Sequence, residues 1–488
     1  MHTILKTLRS YLFPRIQDAF FVGLLIAVSL QGALLLNADG DLGRHITIGK
    51  FIIQTRSIPT RDIFSHTMTG ERLVPHEWLA QVALGGAHTL MGLNGDVLLI
   101  SLLIATTFIL TYREMIRRNV SRIPALGIVT LAASASSLHW LARPHIFTFL
   151  FVALWTYQLE NKSSKVWLFP LIMLIWANTH GAFIAGFVIW GAHMAGWAWD
   201  FLQKQSTLES AGRLVLIGVT SFAITFINPS GWRLWNTSVG YFGSQFLLDQ
   251  TIEYQSPNFH NWSTWPFLAM LGLSIVGLGF KGRLRTHETI LLAGWTILGL
   301  YSARNIPLFA IITAPYLGQL IQSGIEKLAV LNKVDQIIVG VEKNLRGVFY
   351  PLLAITLLAS VALHQPQSND INQFNPKRFP VKAIDWMEAN PQSGRMFNNF
   401  IWGGYILYRM WPQQLVFIDG QTDFYGEALA REYVQVMSLQ DDWEEILEKY
   451  EVSWVIVQSD KPLVSALHEQ LHWKLVYQDD TAAILHKP

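Results

Sequence analysis

Apolar runs recur through the first three quarters of the chain, and polar residues gather in the gaps between them. The runs fall at about 19–37, 95–112, 124–141, 145–160, 166–180, 182–199, 213–228, 266–280, 288–302, 305–321 and 347–364. The stretch from Val166 to Trp199 is too long for one crossing. At about 1.5 Å per residue it would reach roughly 50 Å, against a hydrocarbon core of about 30 Å. The polar string Asn178-Thr179-His180-Gly181 is where it must turn back. The pattern predicts an α-helical polytopic membrane protein with about eleven transmembrane helices.

Two segments break the pattern. The first, Ala38 to Gly95 (residues 38–95), is long for a connection between spans. Within it Leu42, Ile46, Gly49 and Ile53 fall at helical spacing opposite Arg44, Lys50 and Gln54, which predicts an interfacial amphipathic helix. Pro59 and Asp62 end it, and Pro75 opens a second helix from His76 to about Met91. The second segment is residues 365–488. Strand-like runs at Leu415–Ile418, Ser453–Val457, Leu475–Tyr477 and Ala482–Leu485 alternate there with helical patterns at Val381–Glu388, Glu427–Met437, Trp443–Tyr450 and Leu463–Leu471. Such alternation predicts a small α/β domain, joined to the membrane part (residues 1–364) by a linker at Gln365–Pro376.

Composition agrees with the segment pattern. The chain has 488 residues, 51% hydrophobic and 14% charged, where soluble domains are near a quarter charged. The net charge of +2 argues against a nucleic-acid partner. The absence of Cys excludes disulfides, thiolate nucleophiles and zinc–thiolate sites. Basic residues set the orientation. Lys6/Arg9/Arg15, Arg113/Arg117/Arg118/Arg122, Lys162/Lys165, Lys204/Arg213, Lys281/Arg283/Arg285 and Lys327/Lys333/Lys343/Arg346 fall in alternate loops. By the positive-inside rule those loops are cytoplasmic, with the N-terminus. The 38–95 loop and the C-terminal domain then lie outside the plasma membrane, and the first helix is uncleaved because its apolar run is too long for a signal peptide.

The opposite loops hold the chemically loaded residues. Asp39 and Asp41 follow the first apolar run. They read either as a turn and a helix cap or as reactive groups. With a helix starting at Leu42, Asp41, His45 and Gly49 share one face, so a carboxylate and an imidazole lie one turn apart. His76, Glu77 and Trp78 open the next helix, where Glu77 either complements the helix dipole or supplies a second carboxylate. Arg143, Arg233 and Arg304 sit at outer ends of spans, where an arginine either snorkels to headgroups or grips a phosphate bidentately. His180 and Glu253 are further polar candidates. In the C-terminal domain Asp419 ends an apolar strand before Gly420, and Trp402-Gly403-Gly404-Tyr405 offers an aromatic face or a tight turn. No HExxH, GxSxG or P-loop is present, so a divalent metal has no motif to place it.

The string Asp41-Leu-Gly-Arg-His45-Ile-Thr-Ile-Gly49, with Ile58-Pro59, Asp62-Ile-Phe64-Ser65 and His76-Glu77-Trp78-Leu79, resembles bacterial members of the GT-C glycosyltransferase superfamily. That superfamily includes the protein mannosyltransferases and the lipid A aminoarabinose transferases. The resemblance covers the first loop well, the spans only in layout, and the C-terminal domain through Trp402–Tyr405 and Phe417–Gly420. It implies a polyprenyl-phosphate-linked sugar donor and inverting transfer to a lipid, glycan or protein outside the membrane. In that reading Asp41 is the base, with His45 and Glu77 beside it, and Arg143, Arg233 and Arg304 hold the donor phosphate. Asp39, His76, Trp78, His180, Glu253, Trp402 and Asp419 would then contact sugar or acceptor. Two other classes remain: a non-catalytic scaffold of an envelope-polysaccharide or secretion complex, and a lipid-linked glycan transporter. A transporter would carry charges mid-span or paired broken helices, and these runs show neither clearly.

Overall fold

The computed structural model describes residues 10–161, 163–240, 246, 249, 251–280, 283–326, 328–364 and 372–488. Lys6, Arg9, Lys162, Lys281, Lys327 and most of the 365–376 linker lie outside the described residues. The protein is mostly helical with one small sheet, and each expected apolar run falls on helix. Among the described residues, four helices are long and apolar enough to cross a membrane, namely Ser10–Ser29, Trp78–Arg117, Gly181–Leu202 and Ala303–Ile325. Leu168–Ala177, Trp262–Leu278 and Phe349–His364 are shorter apolar helices. The count of about eleven therefore needs shorter helices to cross as well.

Several boundaries differ from the sequence expectation, for physical reasons. The first run is broken into Ile16–Ser29 and Gly32–Asn37. Gly32 sits where a side chain would collide with Asn372, so a segment arriving 340 residues later packs against this break. Trp78–Arg117 is two helices joined at Gly92, whose φ of 59° and ψ of −154° are open to glycine and costly to other residues. The long run after Val166 divides as its length requires, into Leu168–Ala177 and Ile184–Leu202. Asn178 holds the break, its amide donating to the Leu174 and Ile227 carbonyls at 2.9 Å each.

The sheet has strand order β1-β2-β4-β3, with β1 Arg395–Asn398, β2 Val452–Gln458, β3 Lys474–Gln478 and β4 Ala482–His486. β1 runs parallel to β2, and the other pairings are antiparallel. The short β1 was not expected. The Leu415–Ile418 run is extended but joins no strand of the sheet; Val416 instead bridges Ser65 of the first loop.

That bridge marks the largest departure from the expected layout. Apolar side chains of the membrane helices, the first loop and the C-terminal segment form one continuous core, including Phe108, Phe64, Phe374, Trp402, Tyr405 and Trp454. The expected interfacial helix, Leu42–Thr55, is buried over most of its length, its polar residues Arg44, His45 and Thr47 included. It lies between the start of Trp78–Arg117 and the helix Gly403–Met410. Glycines make both crossings close. A Cβ on Gly49 would strike the Gln81 backbone, and one on Gly43 would strike the Gly404 backbone. The polar face of this helix points into protein contacts that its own sequence does not reveal.

Candidate active site

Asp41 occupies the N-cap position of the helix Leu42–Thr55 but makes no side-chain cap hydrogen bond. Its carboxylate turns away and pairs with Arg143. Asp39 does hold the turn, accepting the Asp41 N–H at 3.0 Å through Oδ1, while its Oδ2 lies 3.1 Å from Arg143 Nη1. The same Nη1 is 3.5 Å from Glu253 Oε1. Glu253 Oε2 is 3.6 Å from Arg304 Nη1, which also donates to the Tyr254 hydroxyl at 2.7 Å. Three carboxylates and two guanidiniums from four separate loops thus form one chain of contacts.

A second group adjoins it through Glu77. His45 Nδ1, His76 Nε2 and His180 Nε2 lie 3.9, 3.9 and 3.8 Å from its carboxylate oxygens. His76 Nδ1 is 3.8 Å from Asp423 of the C-terminal segment. His180 is fixed by Thr148 Oγ1 at 2.9 Å, and Gln81 Nε2 is 3.3 Å from His45 Nδ1. A small recess between Arg44, Pro75, His76, Glu77 and Gln421 opens beside this group.

Charge states follow from these surroundings. Burial pushes Asp39 up to about 6 against the pull of Arg143, with Asp41 and Glu253 adding to the push. Burial would also raise Glu253, but Arg143 and Arg304 hold it down at about 2. Burial, helped by Arg44 and Arg143, lowers His45 well below its usual value. His180 is lowered in the same way by burial and Arg304, so both imidazoles are neutral at neutral pH. His76 behaves oppositely: burial lowers it, but Glu77 and Asp423 outweigh burial and raise it.

The structure brings together Asp39, Asp41, His45, His76, Glu77, Arg143, His180, Glu253 and Arg304 of the sequence candidates. It places four others elsewhere. Arg233 stands at the start of the helix Arg233–Gly240 with its guanidinium 5.7 Å from the Trp232 ring centre, outside the cluster. Trp78 donates its indole N–H to Asn178 Oδ1 at 2.7 Å, tying the first loop to the 178–181 turn. Trp402 is fully buried and donates to the Arg378 carbonyl at 2.8 Å, so it has no face free for a sugar. Asp419 is buried against Arg44, with Nε 3.2 Å from Oδ2, and accepts the Gln421 N–H. This pair braces the helix behind Asp41. Arg44, Gln421 and Asp423 had no signal in the sequence beyond their proximity to other candidates.

The cluster can hold an anion between two arginines and offer a carboxylate to a nearby proton. Its carboxylates do not converge as a three-donor metal site; among the described residues the one such group is Glu160, His193 and His287.

No protein-family model matches the chain, and no curated protein sequence does. Solved structures do match. The apo oligosaccharyltransferase of Archaeoglobus fulgidus aligns over 91% of this chain and 69% of its own, with 12% identity and a TM-score of 0.61. The chain shares the fold of that oligosaccharyltransferase. The Archaeoglobus fulgidus enzyme AglB, solved with an inhibitory peptide and a dolichol-phosphate, aligns over 90% of this chain and 69% of its own, with 12% identity and a TM-score of 0.58. ArnT from Cupriavidus metallidurans, solved with undecaprenyl phosphate, spans 96% of this chain and 97% of its own at 13% identity, with a TM-score of 0.49.

Proposed function

We propose that this GT-C-fold chain is an inverting glycosyltransferase that uses a polyprenyl-phosphate-linked sugar and an acceptor hydroxyl outside the plasma membrane. The observation that carries it is the cap position of Asp41, whose carboxylate leaves the helix end free and joins Arg143, Asp39, Glu253 and Arg304. Likeness to an oligosaccharyltransferase solved with a dolichol-phosphate supports the donor class. The N-in, C-out orientation rests on the Lys/Arg alternation, and the domains divide at 364/365 in the sequence reading.

The chemistry is a single displacement. The acceptor oxygen attacks the anomeric carbon as the bond to phosphate breaks, and the lipid phosphate leaves with the electron pair. The acceptor proton passes to Asp41. The leaving group is already an anion, so it needs cations more than a protonating acid. Arg143 and Arg304 supply them. Arg143 holds Asp41 until a donor phosphate competes for the guanidinium, and release of the carboxylate then makes it available to the acceptor. Three carboxylates against two guanidiniums leave one excess negative charge when all three are ionised.

The test is Asp41→Asn in proteoliposomes, with a panel of undecaprenyl-phosphate-linked hexoses and pentoses. Transfer should fall about a hundredfold or more, the usual worth of a general base, while the protein still folds. Wild-type transfer by the purified Asp41→Asn protein would falsify the assignment.

A further inference from the structure

At the other end of the bundle, Glu160, His193 and His287 bring one donor atom each to within 4.8 Å of one another. Glu160 is the last residue of the helix His145–Glu160, whose start adjoins Arg143. Fifteen residues at about 1.5 Å each place it roughly 22 Å from the Asp41 cluster. His287 Nε2 lies 3.1 Å from Glu160 Oε1, and His193 Nε2 lies 3.8 Å from the same oxygen. The two imidazole rings stack with centroids 4.1 Å apart.

One atom in this group is unaccounted for. His193 is 8% exposed, and its Nε2 is buried with no hydrogen-bond partner. A buried polar nitrogen left unpaired is destabilising, because it has lost water and gained nothing in exchange. A proton does not repair the defect, because the nearest carboxylate oxygen is beyond hydrogen-bond reach. A metal ion does. With bonds of about 2.0–2.2 Å, tetrahedral donors stand roughly 3.3–3.5 Å apart. The separations of 3.1 and 3.8 Å straddle that spacing.

The surroundings fit. Arg118 Nη2, 3.0 Å away, and Arg285 both pair with Glu160. Glu288 and Glu114 pair with these arginines in turn, and Arg117 pairs with Glu114. Three carboxylates against three guanidiniums make the cluster neutral, so a divalent cation does not enter a positive field. The site is also held in place: a Cβ on Gly196 would lie 2.7 Å from His287 Cβ, so the helices Ile184–Leu202 and Thr286–Tyr301 cross closely beside it.

We propose that Glu160, His193 and His287 bind a divalent transition metal of the zinc class, which clips three helices together far from the reacting groups. Two imidazoles and a carboxylate suit zinc and its neighbours rather than magnesium or calcium. The ion would replace the proton now shared between His287 and Glu160 and give His193 Nε2 its missing partner.

Tag-free full-length protein in detergent, stripped with EDTA, should bind Co2+ at about one equivalent with a visible d–d absorption band that Zn2+ bleaches. Zn2+ should raise its thermal midpoint. His193→Ala and His287→Ala should each weaken Co2+ binding more than about a hundredfold, beyond the roughly 10–100-fold that loss of an outer partner costs. If either variant fails to fold, the titration and the zinc-dependent midpoint of the wild type still decide. No saturable Co2+ band in the wild type, or an unchanged band in folded His193→Ala, overturns the proposal.

Discussion

Gly420 is the position where a single methyl group should silence the protein without unfolding it. A Cβ built there would lie 2.5 Å from Asp41 Cγ and 3.0 Å from its Oδ2, with Oδ1 nearer still. Carbon atoms rest at about 3.5–4.0 Å, so Gly420→Ala must push the Asp41 carboxylate aside by about 1 Å. The obstacle is the end of one side chain rather than backbone, and the stability cost should sit at the low end of the roughly 1–3 kcal/mol typical of overpacking. Catalysis should suffer more. A misplacement of about 1 Å costs on the order of a hundredfold, close to the loss expected for Asp41→Asn. The assay compares kcat for undecaprenyl-phosphate-sugar transfer and the thermal midpoint for wild type, Gly420→Ala and Gly127→Ala. Gly127 has open space around it, so its variant controls for a change at any glycine. Near wild-type turnover in Gly420→Ala would show that Asp41 tolerates displacement and is not the base.

Other perturbations read neighbouring parts of the cluster. Arg304→Ala should weaken binding of undecaprenyl phosphate, followed by thermal shift, by about 1.5–3 kcal/mol, and Arg304→Lys should recover only part of it. Asp39, raised to about 6, is protonated below that pH and leaves the cluster neutral. Donor KM should therefore rise as pH climbs through 6 in the wild type and stay flat in Asp39→Asn. Glu253 is held at about 2 against an ordinary 4.5, so its contribution to stability is full above 4.5 and lost as pH falls toward 2. Thermal midpoints of wild type and Glu253→Gln should accordingly converge at the acid end of a pH series. Asp419→Leu strands Arg44 in the interior and should cost about 3–5 kcal/mol in denaturant unfolding, while Asp419→Leu with Arg44→Met should recover most of it.

Much of this site was legible because charged residues at the ends of apolar runs have few structural duties there. Asp39, Asp41, Glu77, Arg143, Glu253 and Arg304 all stood out on that ground, and the structure gathers them. Arg233 stood out equally and lies apart, because position at a span end fixes depth and not direction around the bundle. The helix Leu42–Thr55 misled through its periodicity. A polar stripe looks the same whether it meets water or a buried partner, and the partner of Arg44 is 375 residues away. Trp402 failed similarly, since nothing in its neighbours distinguishes a stacking surface from a core anchor. Apolar length told where helices lie, while the kink at Gly92 and the break before Gly32 follow from close packing that only the folded chain displays.

The abutment of Gly420 on Asp41 has a consequence for how the protein is made. The aspartate leaves the ribosome about 380 residues ahead of the segment that walls it in. Every helix between them must be in place before the carboxylate has its neighbours. A nascent or prematurely terminated chain can therefore sit in the membrane with its spans in order and still be inert. Competence arrives late and all at once, when these two distant segments meet.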